Sequence, residues 1–400
     1  MVNNTITGPR GFLAAGVRCG IKKSGKPDLG LIVCPAGAKA AAVFTTNKIT
    51  SAAVQISKRH IKSPTISAVV VNSGNANCCS GQSGIKNAIK MCSETAKQIE
   101  INPHNVLVAS TGIIGEQLPI GKITKGISKA SAKLSASATA GLDFAKAIMT
   151  TDTKVKQAVR RLEISGKKVI IAGTVKGAGM IGPNMATTLC FITTDAAISK
   201  PLLAKALKAA IDSSLNKLTV DSHPSTNDTA IILASGAAGN RAIVSQCPRY
   251  KRFANVLAYL CDDLARQMVL DSEGATRMFK VVVKGAATKA DAAKAARAIA
   301  DYSLVKCAVH GADPNWGRII CAAGSAGVRL KENKLSCKIG DISVFRGGKP
   351  VKFDVKKASK IMSQTEHTIT VDLGAGRMSD FCYGCDLSKE YVRINADYHT

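Results

Sequence analysis

The sequence predicts a mixed protein of class α/β or α+β, and three observations carry that reading. Short runs rich in β-branched residues recur along the chain. Longer stretches of helical periodicity lie between several of them. The two runs on either side of the glycine-rich segment 176–190 leave no room for a crossover helix, so they read as antiparallel neighbours or as strands of facing sheets. In chain order the strand-like runs are LGLIV from Leu29, AVVVNSG from Ala68, NVLVAST from Asn105, KVIIAGTV from Lys168, LCFITT from Leu189, TAIILAS from Thr229 and FKVVVKG from Phe279. The helix-like stretches are 84–99, 200–218, 253–270 and 287–300. The Ala/Ser-rich stretch 129–141 reads either as helix or as surface segment and marks no domain boundary. Asp313 and Asn315, flanking Pro314, supply turn and N-cap chemistry for a further helix.

With 400 residues, 46% of them apolar, the chain can bury a large core, and its length suggests two or three domains. No apolar stretch approaches the roughly 20 residues needed to span a bilayer. The opening residues, MVNNTITGPRGF, show neither a signal peptide nor a transit pattern. Thirteen cysteines, scattered from Cys19 to Cys385, read as reduced thiols of a cytoplasmic protein. Cys382 and Cys385 form one CxxC without a second pair or a histidine cluster, so no metal site is expected. The formal charge of +28, from 55 basic and 27 acidic residues, would suggest nucleic acid. The lysines are dispersed, however, and only 4% of residues are aromatic, unlike a patch built for stacking bases. A solvated basic surface that attracts anionic metabolites is preferred, with neither nucleic acid nor membrane as partner.

The chemistry concentrates in KGAGMIGPNMATTLC, residues 176–190. Gly177, Gly179 and Gly182 match GxGxxG, but that fingerprint needs a helix opening behind it, and Pro183 followed by a β-type run stands there instead. The glycines read as a tight turn beside a scissile bond, Ala186-Thr187. Attack of the Thr187 hydroxyl on the Ala186 carbonyl gives an ester that water opens. The freed threonine then carries its own general base, since an α-amine has a reference pKa of about 7.7 to 8. Lys176 adds like charge that would lower it further. In Ser110-Thr111-Gly112, at the end of a strand-like run, the Thr111 hydroxyl and Gly112 amide are donors suited to a tetrahedral oxyanion. NSGNAN at 72–77, MTTDT at 149–153, DSEGAT at 271–276, GADPNWGR at 311–318 and INADYHT at 394–400 complete the unusual runs. His310 reads as a packed histidine and not as a base.

These runs, from TGPRGFLAAGVRCGIK near the start to YVRINADYHT at the end, resemble the glutamate N-acetyltransferase/ornithine acetyltransferase family over nearly the whole chain. The resemblance implies an N-terminal-nucleophile-like layered αββα arrangement. It implies self-cleavage into an α chain, 1–186, and a β chain, 187–400, assembled as an α2β2 heterotetramer. The implied reaction moves the acetyl group of N2-acetyl-L-ornithine to L-glutamate through an acetyl-threonine, in arginine biosynthesis. No cofactor is implied, and acetyl-CoA is left open as a second acetyl donor. Carried over residue by residue, Thr187 is the nucleophile, and Thr111 and Gly112 form the oxyanion hole. The substrate-binding residues are Thr153, Lys176, Thr187, Glu273, Asn395 and Thr400, with Glu273 meeting a cationic ornithine amine. The alternative is a related N-terminal-nucleophile aminopeptidase or amidase, whose acyl-enzyme goes to water. Two departures stand out: Val155 replaces a proline of the family run TxPK, and Ser222, His223 and Pro224 replace Gly, Asp and Thr of VDGDTSTND.

Overall fold

The structure is a computed structural model that describes residues 3–182 and 188–397; Ala186, Thr187 and Thr400 therefore lie outside the described residues. The first part of the chain forms β1 (Leu13–Val17), β2 (Leu29–Phe44), α1 (Ala52–His60), β3 (Ile66–Asn75), α2 (Gly81–Gln98), β4 (Val106–Ile113), α3 (Ile120–Ser131), α4 (Ala138–Ile148), β5 (Lys156–Ile164) and β6 (Lys167–Lys176). Next come β7 (Leu189–Thr194), α5 (Lys200–Asp212), β8 (Leu218–Thr219), β9 (Thr229–Ala234) and α6 (Pro248–Leu270). The remainder forms β10 (Met278–Ala286), α7 (Lys289–Asp301), α8 (Ser303–His310), α9 (Trp316–Gly324), β11 (Ser336–Ile339), β12 (Ile342–Arg346), β13 (Lys349–Pro350), α10 (Val355–Met362), β14 (Glu366–Asp372), β15 (Met378–Cys385) and α11 (Lys389–Asp397).

Eight strands make the first sheet, in the order β4-β3-β2-β9-β7-β6-β5 with β1 beside β2. β2 changes partners along its length: residues 29–33 pair with β1 and β3, and residues 39–44 pair with β9, with a register break between Val33 and Ala38. Such a break bends a strand, and side-chain alternation reports the result. In β3 and β4, Ala68, Val70, Val106 and Val108 pack with α1, α2 and α3, whereas Val69, Val71, Leu107 and Ala109 belong to an inner core. In β7 and β9, Cys190, Ile192, Ala230 and Ile232 pack with α5 and α6, while Phe191, Ile231 and Leu233 join that same inner core. The layers are thus helix, sheet, sheet, helix, as the resemblance implied. Phe144 of α4 meets Phe191 edge-on in the inner core, with ring centroids 5.5 Å apart.

The second sheet has seven strands in the order β13-β12-β11-β14-β10-β15-β8. Its core joins Phe279, Val281 and Val283 of β10 to the apolar stripe of α7, Ala292, Ala295, Ala296 and Ile299. Asn315 caps α9 as its sequence suggests, accepting the N–H of Arg318, and Trp316 stacks on Phe345 at 5.1 Å. The stretch 129–141 divides between the end of α3 and the start of α4, where Ser137 is the N-cap.

β6 and β7 prove to be antiparallel neighbours, in register from Ile171↔Thr194 to Lys176↔Leu189, which settles the choice left open by the sequence. Among the described residues the next element after the glycine turn is the strand β7, where a dinucleotide fingerprint would be followed by a helix. The boundary expected between residues 186 and 187 therefore falls between two adjacent strands of one sheet. β7 and β9, from beyond that boundary, sit between β2 and β6, which come from before it.

Candidate active site

A cavity of about 260 Å³ opens where strand ends and turns converge. β4 brings Thr111 and Gly112, β6 ends in Lys176, the turn after α4 brings Thr150, the turn after α6 brings Glu273, and α11 adds Tyr391 and Asn395. Thr111 is 8% exposed and Lys176 is 7% exposed, so both polar groups need partners. Lys176 Nζ donates to Thr111 Oγ1 at 3.0 Å and to Thr150 Oγ1 at 3.1 Å. An ammonium only donates, so Thr111 accepts there and keeps its own hydroxyl proton for another acceptor in the cavity. Burial pushes the Lys176 ammonium below its ordinary value, against the pull of Asp152.

Gly112 has φ +131°, and a Cβ there would lie 2.3 Å from the carbonyl carbon of Gly74. Glycine is what permits β4 to run so close to β3, where the parallel register slips at Asn75. The NSGNAN run forms the facing wall of this corner. Ser110 Oγ donates to Asn72 Oδ1 at 2.7 Å, and Asn227 Nδ2 donates to the carbonyls of Ala76 at 2.6 Å and Ser110 at 2.8 Å.

Beneath the cavity lies a buried ionic cluster. Lys156 Nζ sits 2.5 Å from both Asp152 Oδ1 and Asp271 Oδ2, with all three side chains at most 5% exposed. Asp152 also accepts the N–H of Thr150 at 2.9 Å and of Gly177 at 2.8 Å. Although burial raises it, the nearby Lys156 and Lys176 hold the Asp152 carboxyl down to about 2. Asp271 accepts the hydroxyl and amide of Thr153 and the amide of Lys154. One lysine thus ties together the segments that present Thr150, Lys176 and Glu273.

Glu273 is 9% exposed, receives Asn395 Nδ2 on Oε2 at 2.9 Å, and donates its amide to Ala178 O at 2.9 Å. It lies directly over Gly179, where a Cβ would come within 2.2 Å of Glu273 Oε2. Asp221 is a second hub: it accepts the amides of Met180 and Ile181 at 2.7 Å each and the Tyr391 hydroxyl at 3.1 Å. The departure from the family run lies on this wall. Ser222 takes a left-handed φ of +62°, and the exposed His223 faces the cavity with Nδ1 3.5 Å from Asp221 Oδ1.

Five sequence-identified residues, Thr111, Gly112, Lys176, Glu273 and Asn395, thus line one cavity. Thr153 does not line it; its hydroxyl is turned to Asp271, and Thr150 and Thr151 of the same run face the cavity. The nucleophile Thr187, its partner Ala186 and the terminal Thr400 lie outside the described residues, while Thr188 is described, its hydroxyl donating to Lys176 O at 2.7 Å. Sequence reasoning passed over Thr150, Asp221, Asn227 and Tyr391. Asp221 and Asn227 stand within VDSHPSTND, a run noted only for its departures. His310 lies away from the cavity, with Nδ1 2.8 Å from Asp386 Oδ2.

The family model described as the ArgJ family matches residues 13–400. The chain is 44% identical, over 397 residues, to the arginine biosynthesis bifunctional protein ArgJ of Symbiobacterium thermophilum, covering 99% of this chain and 98% of that one. It is also 44% identical to the protein of that name from Dehalococcoides mccartyi over 400 residues, covering 100% of this chain and 98% of the relative. Among solved structures, arginine biosynthesis bifunctional protein argJ from Bacillus halodurans is similar with a TM-score of 0.50 and 39% identity, covering 52% of this chain and 97% of that one.

Proposed function

The chain belongs to the ArgJ family, and from that premise we propose how its cavity works. The enzyme is an acetyltransferase of arginine biosynthesis that passes the acetyl group of N2-acetyl-L-ornithine to L-glutamate. In our reading the Thr187 hydroxyl first attacks the Ala186 carbonyl. The new Oγ–C bond forms as the C–N bond breaks, the hydroxyl proton passes to the departing nitrogen, and water opens the resulting ester. An α chain ending at Ala186 and a β chain beginning at Thr187 result.

Thr187 then attacks the acetyl carbon of acetylornithine while its α-amine takes the hydroxyl proton. The observation that carries this mechanism is the Lys176–Thr111 bond beside Gly112. It leaves the Thr111 proton and the Gly112 N–H to meet charge developing on the acetyl oxygen. Collapse expels ornithine, whose amine takes the proton, and the glutamate amine attacks the acetyl-threonine in turn. Glu273 receives the side-chain ammonium of ornithine, an exchange in which Asn395 yields the carboxylate oxygen it now holds. Thr400 joins the substrate residues by resemblance alone. The bond from Thr153 to Asp271 supports a role for Thr153 through the turn that carries Glu273. Acetyl-CoA as a second donor accords with the word bifunctional in the relatives' name. An α2β2 assembly in the cytoplasm completes the reading.

Intact mass under denaturing conditions, with Thr187→Ala as control, tests it. Two chains meeting at Ala186/Thr187 are expected, absent in the control; one unbroken chain from wild type sinks the nucleophile. Initial rates over both substrates should give parallel double-reciprocal lines, and intersecting lines would refute the acetyl-enzyme.

A further inference from the structure

Two amino acids of opposite side-chain charge must use one cavity in turn. Ornithine leaves with an ammonium on its side chain and glutamate arrives with a carboxylate, although both exchange the acetyl group at the α-nitrogen. A wall suited to the first side chain opposes the second. Among the described lining residues the acidic and basic side chains are Lys176, Asp221, His223 and Glu273. Two are carboxylates that would repel glutamate's own: Glu273, which holds Asn395, and Asp221, which holds the amides of Met180 and Ile181 and the Tyr391 hydroxyl. Lys176 is 7% exposed and its ammonium is spent on Thr111 and Thr150, beneath the reacting carbon.

His223 differs from all three in place and in chemistry. Its side chain is 73% exposed, on the cavity rim, and Nδ1 lies 3.5 Å from Asp221 Oδ1. The backbone that carries it is fixed from several sides. It crosses directly over Gly182, where a Cβ would come within 2.1 Å of Ser222 C and 2.5 Å of His223 N. His223 N donates to Asp221 Oδ1 at 3.3 Å, while Pro224 O accepts Asn47 Nδ2 at 3.0 Å and Ser225 O accepts Thr45 Oγ1 at 2.7 Å. A protonated imidazole donates from both ring nitrogens, so one edge can rest on Asp221 while the other presents its N–H to an anion. His223 also stands where the resembling family run carries aspartate, so the rim of this chain has exchanged an acidic group for a basic one. Resting on the reading that the cavity passes an acetyl group from acetylornithine to glutamate, we propose that His223 is a specificity residue that receives the side-chain carboxylate of the anionic acceptor. It binds substrate and takes no part in proton or acyl transfer. An aspartate in its place opposes that carboxylate, so the exchange sharpens this chain's preference for glutamate over a cationic amino acid as acceptor.

The test compares two rates on one preparation of the full, cut enzyme. The first is transfer from acetylornithine to glutamate; the second is exchange of labelled ornithine into acetylornithine without glutamate. Their ratio cancels any loss of folded or cut protein. His223→Gln should lower kcat/KM for glutamate about tenfold, the loss of one hydrogen bond to a charged group, and His223→Asp about 30-fold, since like charges then face each other. His223→Lys, which keeps a cation, should stay within about threefold of wild type. Ornithine exchange should stay within about threefold in all three. Glutamate transfer unchanged in the glutamine and aspartate variants overturns the proposal. So does a parallel fall of transfer and exchange, which is what a merely structural role of the loop would give, and so does failure of lysine to restore what glutamine loses. A wild type that neither exchanges nor transfers would sink the acetyltransferase reading and this inference with it; an active wild type with unaffected variants sinks the inference alone.

Discussion

At Lys176 one ammonium orients two hydroxyls, and the consequence for Thr111 is directional: its oxygen is committed and its proton is not. Thr111→Val keeps the shape and removes the donor, so kcat should fall about 10²- to 10³-fold with little change in KM; steady-state kinetics on the purified, cut enzyme checks this. His367 behaves differently, as a matter of stability. It is 7% exposed and stacks on Phe279, and burial pushes its pKa down from 6.5 to about 4. The folded chain keeps it neutral where the unfolded chain takes up a proton. Its contribution is therefore whole above pH 6.5 and drains away as pH falls toward 4, by up to about 3 kcal/mol. Urea titrations across that range should show the slope, and His367→Phe should flatten it. At this scale the sequence was legible wherever chemistry sits in a local run: Thr111, Gly112, Lys176 and Glu273 could each be named beforehand. Thr150 and Tyr391 could not, since one reaches the cavity through a bond to Lys176 and the other through a bond to Asp221, contacts made only by folding.

Among the elements, the buried strands of the inner core announced themselves, because β3, β4 and β9 are covered on both faces and read as unbroken apolar runs. β5 and β15 did not. KQAVRRLEI of β5 alternates buried with partly exposed positions and carries charges, and MSDFCYGC of β15 is buried only in its second half. Short helices such as α1 and α10, nine and eight residues long, offer too few turns for periodicity to stand out. The ionic cluster shows how such elements are fixed to one another. Lys156, the first residue of β5, locks the end of β6 and the turn after α6 through two carboxylates. Lys156→Met leaves Asp271 buried without its cation and Asp152 with Lys176 alone, and should destabilise the fold by about 3 to 5 kcal/mol, read from the urea midpoint. Adding Asp152→Asn and Asp271→Asn should recover part of that loss. The turn under Glu273 has its own sensitivity: Gly179→Ala forces a methyl into the carboxylate. A raised KM for acetylornithine with a smaller change in kcat is expected if Glu273 acts as proposed, by binding the substrate in its ground state.

For the whole molecule, the layered order could be expected from resemblance, whereas the path of the strands could not, since nothing local encodes that β2 bends and changes partners. That path places β7 and β9 between β2 and β6. Once the chain is cut before Thr187, the order of the unfolding reaction changes. Melting an intact chain yields one species, but melting the cut enzyme yields two that must find each other again. Its melting temperature should therefore fall with dilution, as for any assembly whose parts are stable only together. Thr187→Ala, left whole, should melt at a lower concentration dependence set only by any association between copies. Refolding should diverge likewise, with the rate of the cut enzyme scaling with the product of its two chain concentrations. The proposed self-cleavage would thus make a nucleophile and, in the same event, turn a reversible fold into one whose recovery depends on how much of it is present.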